Sequence, residues 1–186
     1  MSSRDDIRKF SFEVHHEYLD MRSRLSAMPA RLSLLPVRRE ATMNNKPIVL
    51  ILCTGNSCRS QMAEAFLRKF QGDKYEVASA GTEPKDQVHP LAVRVMKEIG
   101  IDISGQQPKN ISDFLGKSAV RFLIIVCDKA NSSCPRIWPG TFSRSYLPFD
   151  DPAHAEGTNE EKLAVFRRVR DEINEAMENW QPENHA

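Results

Sequence analysis

Little in this chain of 186 residues stands out by excess, and several function classes fall away on what is scarce. Lys+Arg number 26 against Asp+Glu 25, a formal net charge of +1, so there is no basic surplus of the kind that draws nucleic acid or a polyanion. No apolar run approaches the roughly 20 residues needed to cross a bilayer, and those around Ile48 to Leu52 and Phe122 to Val126 are far shorter. No membrane partner is therefore expected. The amino terminus lacks the apolar stretch of a secretory signal, and Asp5, Asp6, Glu13, Glu17 and Asp20 argue against a transit peptide, which makes the expected address cytoplasmic. Cysteine is sparse, at four residues: Cys53, Cys58, Cys127 and Cys134. In a cytoplasmic chain so few thiols point to catalysis or metal binding rather than to a disulfide scaffold.

What is present is ordinary for a folding chain: 40% hydrophobic and 27% charged residues. Residues 1–42 read as a separate extension, rich in Arg and Ser, interrupted by Pro29 and Pro36, with only broken helical patterning at Ile7, Phe10, Val14 and Tyr18. Met43 is a natural start for the domain that follows, so the upstream part is either a translated leader or a short accessory helix. A product beginning at Met43 would decide for the first.

From Pro47 strand and helix signals alternate, the pattern of a parallel sheet covered by helices. Residues 43–186 are expected to form one α/β domain, a small doubly wound four-stranded parallel sheet with helices on both faces. Ile48 to Leu52 is aliphatic throughout, as in a strand buried on both sides, and ends at Cys53. A helix is expected over Arg59 to Phe70, with Met62, Phe66, Leu67 and Phe70 on one face. A strand follows over Tyr75 to Ser79, then a helix from Pro90 that stops at Gly100. A short helix is expected over Ser112 to Leu115 and a strand over Arg121 to Cys127. Thr141 to Phe149 reads as a further strand. The last helix is capped by Thr158 or Asn159 and striped by Leu163, Phe166, Val169, Ile173, Met177 and Trp180.

The chemistry concentrates in Cys53-Thr54-Gly55-Asn56-Ser57-Cys58-Arg59-Ser60, between the first strand and the first helix. In an open α/β sheet ligands bind beyond the carboxyl ends of strands, where Cys53 falls. A helix beginning near Arg59 aims unpaired backbone N–H groups into the loop, which suits a tetrahedral oxyanion held by residues 54 to 59. Gly55 lets the backbone curl, and Arg59 adds a planar fork for two oxygens. These surroundings are expected to depress the Cys53 pKa and make it a nucleophile, with Ser60 donating to the thiolate. A buried structural cysteine in a plain strand-to-helix turn is the alternative. A nucleotide loop is not, since the Gly-Lys-Ser/Thr ending is absent.

The Cys-x5-Arg-Ser turn near the start of a small α/β domain resembles the low-molecular-weight protein tyrosine phosphatase family, and the resemblance runs from about Pro47 to Trp180. It includes Phe149-Asp150-Asp151-Pro152, where the family carries a general acid: Asp151 is the first candidate and Asp150 the second. Phosphate-ester hydrolysis through a phosphocysteine at Cys53 needs only one thiol, which leaves Cys127 and Cys134 unexplained. Cys127 closes the third strand, on the same rim as Cys53 if strands one and three are neighbours. Cys134 follows a polar segment able to change shape, the layout of a thiol–disulfide relay. A zinc site is a poor alternative, because His89 and His154 fit no ligand spacing with this pair.

The blocks CTGNSCRSQMAEAF, SAGTE, EIGIDIS, CDKANSSCP and FDDPA are similar to those of thioredoxin-coupled arsenate reductases of the phosphatase-like class. That resemblance implies a three-thiol mechanism. Cys53 attacks arsenate held by the loop and Arg59, Asp151 assists the leaving oxygen, Cys127 attacks Cys53 as arsenite departs, and Cys134 then attacks Cys127 to leave a Cys127–Cys134 disulfide for thioredoxin. Glutaredoxin or a small thiol remains open as the reductant. Cys58 has no assigned step and reads as a lining residue or a bystander open to oxidation. No tightly bound cofactor is expected, although Asn56, Glu64, Ser79 and Asp113 match positions associated with a potassium ion in some members, with Ile111 where a hydroxyl residue is common. The aromatic pair that follows Asp-Pro in the phosphatases is replaced by Ala153 and His154, which weakens an aryl-phosphate substrate. A thiol-based oxidative sensor whose loop merely binds phosphate is a third reading.

Overall fold

The structure is a computed structural model that describes residues 46–116, 119–134 and 138–182. The extension over residues 1–42 and the start at Met43 lie outside the described residues. Four strands form one parallel sheet in the order β2-β1-β3-β4: β1 Ile48–Cys53, β2 Glu76–Gly81, β3 Val120–Ile125 and β4 Ser143–Tyr146. The helices are α1 Arg59–Gln71, α2 Pro90–Glu98, α3 Asp128–Ser133 and α4 Asn159–Glu178. No helix among the described residues is long and apolar enough to cross a membrane.

The aliphatic run of β1 is central because it has a strand on either side, and Val49 to Leu52 are fully buried. Burial of each such side chain contributes about 1.5–3 kcal/mol. Helices α1 and α4 pack on one another, with Met62, Phe66 and Leu67 meeting the same core as Leu163, Phe166, Ile173 and Met177. Buried Arg170 of α4 donates to the Val95 carbonyl of α2 at 2.9 Å, and Thr158 and Glu161 close a capping box at the start of α4.

The expected boundaries shift in ways that matter for function. β3 stops at Ile125, so Cys127 does not end the strand but caps the helix that follows. The polar stretch from Asp128 is that helix, α3, rather than a loop. β4 is shorter than Thr141 to Phe149, although past its end the Leu147 and Phe149 N–H groups still donate to the Ile125 and Val126 carbonyls. The expected helix near Ser112 is a single 3-10 turn over Ile111–Asp113.

The strand order creates the site. The chain leaves β1 toward β2 on one side and later returns to β3 on the other, so the loops after β1 and β3 diverge at the point where the winding reverses. A crevice at such a point is where open α/β sheets bind ligands. Leu52 pairs with Ile125, which brings the residues that follow each of them to one rim.

Candidate active site

Cys53 is the last residue of β1, 3% exposed, and its sulfur is surrounded by donors. The Asn56 N–H donates to Sγ at 3.0 Å, and Ser60 Oγ lies 2.8 Å from it. Since Ser60 Oγ also accepts from Asn56 Nδ2 at 2.9 Å, its own proton is available for the sulfur. Burial nevertheless pushes the Cys53 thiol up; Ser60, the Asn56 N–H and Arg59 pull it back without cancelling that, and the nearby Cys127 adds to the rise. The expected depression of the Cys53 pKa is therefore corrected. Loss of water around a buried thiolate outweighs the donors, and the guanidinium is engaged elsewhere. Arg59 Nη1 donates to the Phe149 carbonyl at 3.0 Å and Nη2 to Asp151 Oδ2 at 2.6 Å.

A cleft of about 710 Å³ opens over Cys53. Its floor is Cys53, Thr54, Gly55, Ser57, Cys58 and Arg59, its walls are Asp151 with Ala153 and His154 on one side and Cys127 with Asp128 and Lys129 on another, and Glu83, Pro84 and Lys85 complete the rim. Asp151, in front of Pro152, faces this cleft. Asp150 does not, since its carboxylate is largely exposed and pairs with Arg168 at 2.9 Å.

Asn56 and Ser60 stand behind the floor rather than in it, both fully buried. Asn56 adopts φ 44°, an uncommon conformation for a residue with a side chain. Its amide offsets the strain, donating to Ser60 and Ser79 Oγ and accepting from the Lys109 N–H at 2.7 Å and Gln61 Nε2 at 3.2 Å. Gly81 at the end of β2 is a part of this support that the sequence did not single out: a Cβ there would meet the Thr54 carbonyl at 2.5 Å. Only glycine lets the loop lie against the sheet, and the SAGTE block was the available signal. Gln61, Lys109 and the Phe149 carbonyl were missed too, because their roles depend on backbone brought in from elsewhere.

Asn56, Glu64 and Ser79 converge, but they do not fit a potassium ion. Ser79 Oγ donates to Glu64 Oε2 at 2.5 Å, Arg68 bonds the other Glu64 oxygen, and Lys109 Nζ reaches Glu64 at 3.4 Å. Each oxygen already has a donor, and two side-chain cations already balance the carboxylate. Asp113 instead accepts from the Asn110 N–H in a capping box.

Cys58 also lines the cleft, and burial pushes its thiol up to about 12, with the Asp151 carboxylate adding to the rise. Cys127 stands across the cleft, its Sγ 3.4 Å from Thr54 Oγ1. Cys134 closes the far end of α3, buried, and its thiol too is raised by burial while Arg144 pulls it down. None of the four cysteines is in a disulfide.

Residues 48–185 match the low molecular weight phosphotyrosine protein phosphatase family. Among curated proteins, an arsenate reductase of Halalkalibacterium halodurans is 50% identical over 136 residues, covering 73% of this chain and 96% of its own. Among solved structures, an arsenate reductase in the phosphate binding state aligns with a TM-score of 0.60 and 36% identity over 72% of this chain and 95% of the other. A thioredoxin-dependent arsenate reductase of Corynebacterium glutamicum aligns with a TM-score of 0.51 and 28% identity, over 75% of this chain and 65% of the other.

Proposed function

The chain belongs to the low molecular weight phosphotyrosine protein phosphatase family, and from that premise we propose that it is an arsenate reductase that moves two electrons to arsenic through Cys53, Cys127 and Cys134. One observation carries the relay: Cys127 lines the same cleft as Cys53, beside Thr54, where a phosphatase needs no second thiol.

Arsenate enters the loop as a phosphate-like oxyanion, and Arg59 turns from Asp151 and the Phe149 carbonyl to hold two of its oxygens. Cys53 Sγ, as thiolate, bonds to arsenic, and one oxygen leaves as water after taking a proton from Asp151. Ser60 and the Asn56 N–H stabilise the sulfur before attack. Cys127 then attacks Cys53 Sγ. The sulfur–sulfur bond forms, the sulfur–arsenic bond breaks with its electron pair staying on arsenic, and arsenic leaves as arsenite. Phosphate fits the same cradle but cannot accept that pair, so the redox step separates the two anions.

Resolution requires α3 to unwind. Cys127 and Cys134 cap its two ends, seven residues apart, which at about 1.5 Å per residue is about 10 Å along the axis. A disulfide needs Cα atoms within about 7 Å. Once the helix opens, Cys134 attacks Cys127, Cys53 leaves as thiolate, and a Cys127–Cys134 disulfide results. A dithiol protein of the thioredoxin class reduces it, in a cytoplasm that keeps the thiols available.

Reduced protein with arsenate, thioredoxin, thioredoxin reductase and NADPH is expected to oxidise NADPH in proportion to arsenate. Cys134→Ser is expected to stop turnover after one cycle with a Cys53–Cys127 disulfide, found by peptide mapping, while any hydrolysis of aryl phosphate persists. Full arsenate turnover by both Cys127→Ser and Cys134→Ser overturns the relay.

A further inference from the structure

Helix α3 has only six residues, too short to persist without tertiary support. Part of that support is the burial of Ala130 in the core, and part comes at both ends from β4. At the first turn, the Tyr146 hydroxyl donates to the Asp128 carboxylate. Toward the other end, Arg144 Nη2 donates to Asn131 Oδ1 at 2.8 Å and to the Asn131 carbonyl at 3.2 Å. That carbonyl is one of the last four of the helix, which have no acceptor role within it. Arg144 and Tyr146 are two residues apart on a strand and so project from one face, while Ser145 between them accepts from Trp180 Nε1 on the other. The register sets Tyr146 beside Ile125, two residues before Cys127. A third contact, Lys129 with Glu83 at 2.8 Å, joins two largely exposed side chains and holds little.

We propose that Arg144 and Tyr146 are positioning residues of the relay: they clasp the dithiol form of the Cys127–Cys134 segment as a helix, keeping Cys134 buried and apart from Cys127 until the exchange that joins them. The inference rests on the relay reading. In that exchange the Cys134 thiolate bonds to Cys127 Sγ, the Cys53–Cys127 bond breaks, and its electron pair leaves on Cys53, with no net gain or loss of electrons. Forming the new bond unwinds α3 and releases both clasps. The clasps therefore favour the dithiol over the disulfide, and they hinder idle oxidation of Cys134 when no arsenate has been turned over. The Arg144 guanidinium also offsets part of the burial that disfavours the Cys134 thiolate.

Tyr146→Phe removes one hydroxyl and leaves the ring, and Arg144→Met removes the fork while keeping much of the stem. Each is measured in two ways. Equilibration of the Cys127–Cys134 pair with dithiothreitol, followed by mass spectrometry, is expected to show the disulfide favoured by about tenfold in each variant, or about 30 mV more negative. Alkylation of fully reduced protein by N-ethylmaleimide is expected to be several-fold faster at Cys134 in Tyr146→Phe, less so in Arg144→Met, which also removes the charge that favours the Cys134 thiolate, and unchanged at Cys53 in both. A merely structural role would lower Tm in both redox states and leave the potential where it was. A Cys127–Cys134 disulfide with unaltered potential in both variants overturns the clasp alone. Failure of the unaltered protein to form that disulfide with arsenate overturns the relay, and the clasp with it.

Discussion

Arg59 and Asp151 form an ion pair of 2.6 Å inside the cleft, with side chains only 11% and 28% exposed. The group proposed to hold the oxyanion and the group proposed to protonate its leaving oxygen are thus bound to each other, and on that reading a ligand has to separate them. Asp151→Asn is expected to act in opposite directions on binding and chemistry. Phosphate binding, followed by calorimetry, should tighten several-fold because Arg59 is released and a negative charge is gone. The rate of arsenate reduction should fall by about 10²–10⁴-fold for loss of the acid. Weaker phosphate binding in the variant would show that Asp151 instead preorganises Arg59.

The Cys53 thiol lies above the ordinary thiol range because burial outweighs its donors. A raised pKa means that the thiolate fraction climbs tenfold per pH unit across the neutral and mildly alkaline range. Iodoacetamide labelling of Cys53 should follow that slope between pH 7 and 9. Ser60 is the largest influence pulling the value down, so Ser60→Ala should slow labelling at pH 7.5 by about tenfold, the scale of one lost hydrogen bond to a charge. A plateau below pH 8 would place the Cys53 pKa below the ordinary range.

For Cys58, a pKa of about 12 leaves a thiolate fraction on the order of 10⁻⁴ at pH 8. Its alkylation should be slow at pH 8 and climb tenfold per pH unit up to about pH 11, and Cys58→Ala should keep kcat/KM within about twofold. Loss of turnover in that variant, with the fold intact by circular dichroism, would give Cys58 a step in the cycle.

Glu64 pairs with both Arg68 and Lys109. Exchanging potassium chloride for tetramethylammonium chloride at equal ionic strength should leave both Tm and kcat/KM unchanged. Lys109→Met removes one cation from a buried carboxylate. Its Tm should fall, with part of the loss restored by potassium and none by tetramethylammonium. A potassium response in the unaltered protein would show that the ion displaces Lys109.

The elements that depend on local pattern were legible in the chain alone. Ile48 to Leu52 reads as a strand because a short aliphatic run with β-branched Ile48, Val49 and Ile51 suits a strand buried on both faces, and α1 and α4 follow from one apolar stripe each. Helix α3 was not legible, because Asp-Lys-Ala-Asn-Ser-Ser has no stripe and owes its form to side chains of β4. The Cys53 pKa went the other way from expectation for a similar reason. Thiol, glycine and arginine in one turn are visible in sequence, but burial and the distraction of Arg59 by Asp151 are not.

Sequence by itself determined the loop proposed as an anion cradle: eight consecutive residues carry the sulfur, the flexible turn, the guanidinium and the start of a helix, and contiguity alone ensures that they meet. Tertiary structure brought the second thiol to the same cleft. Cys127 lies 74 residues from Cys53 and reaches the same cleft only because β1 and β3 are neighbours in parallel register and the winding reverses between them. Pairing of distant strands is a matter of long-range packing, which no local pattern encodes.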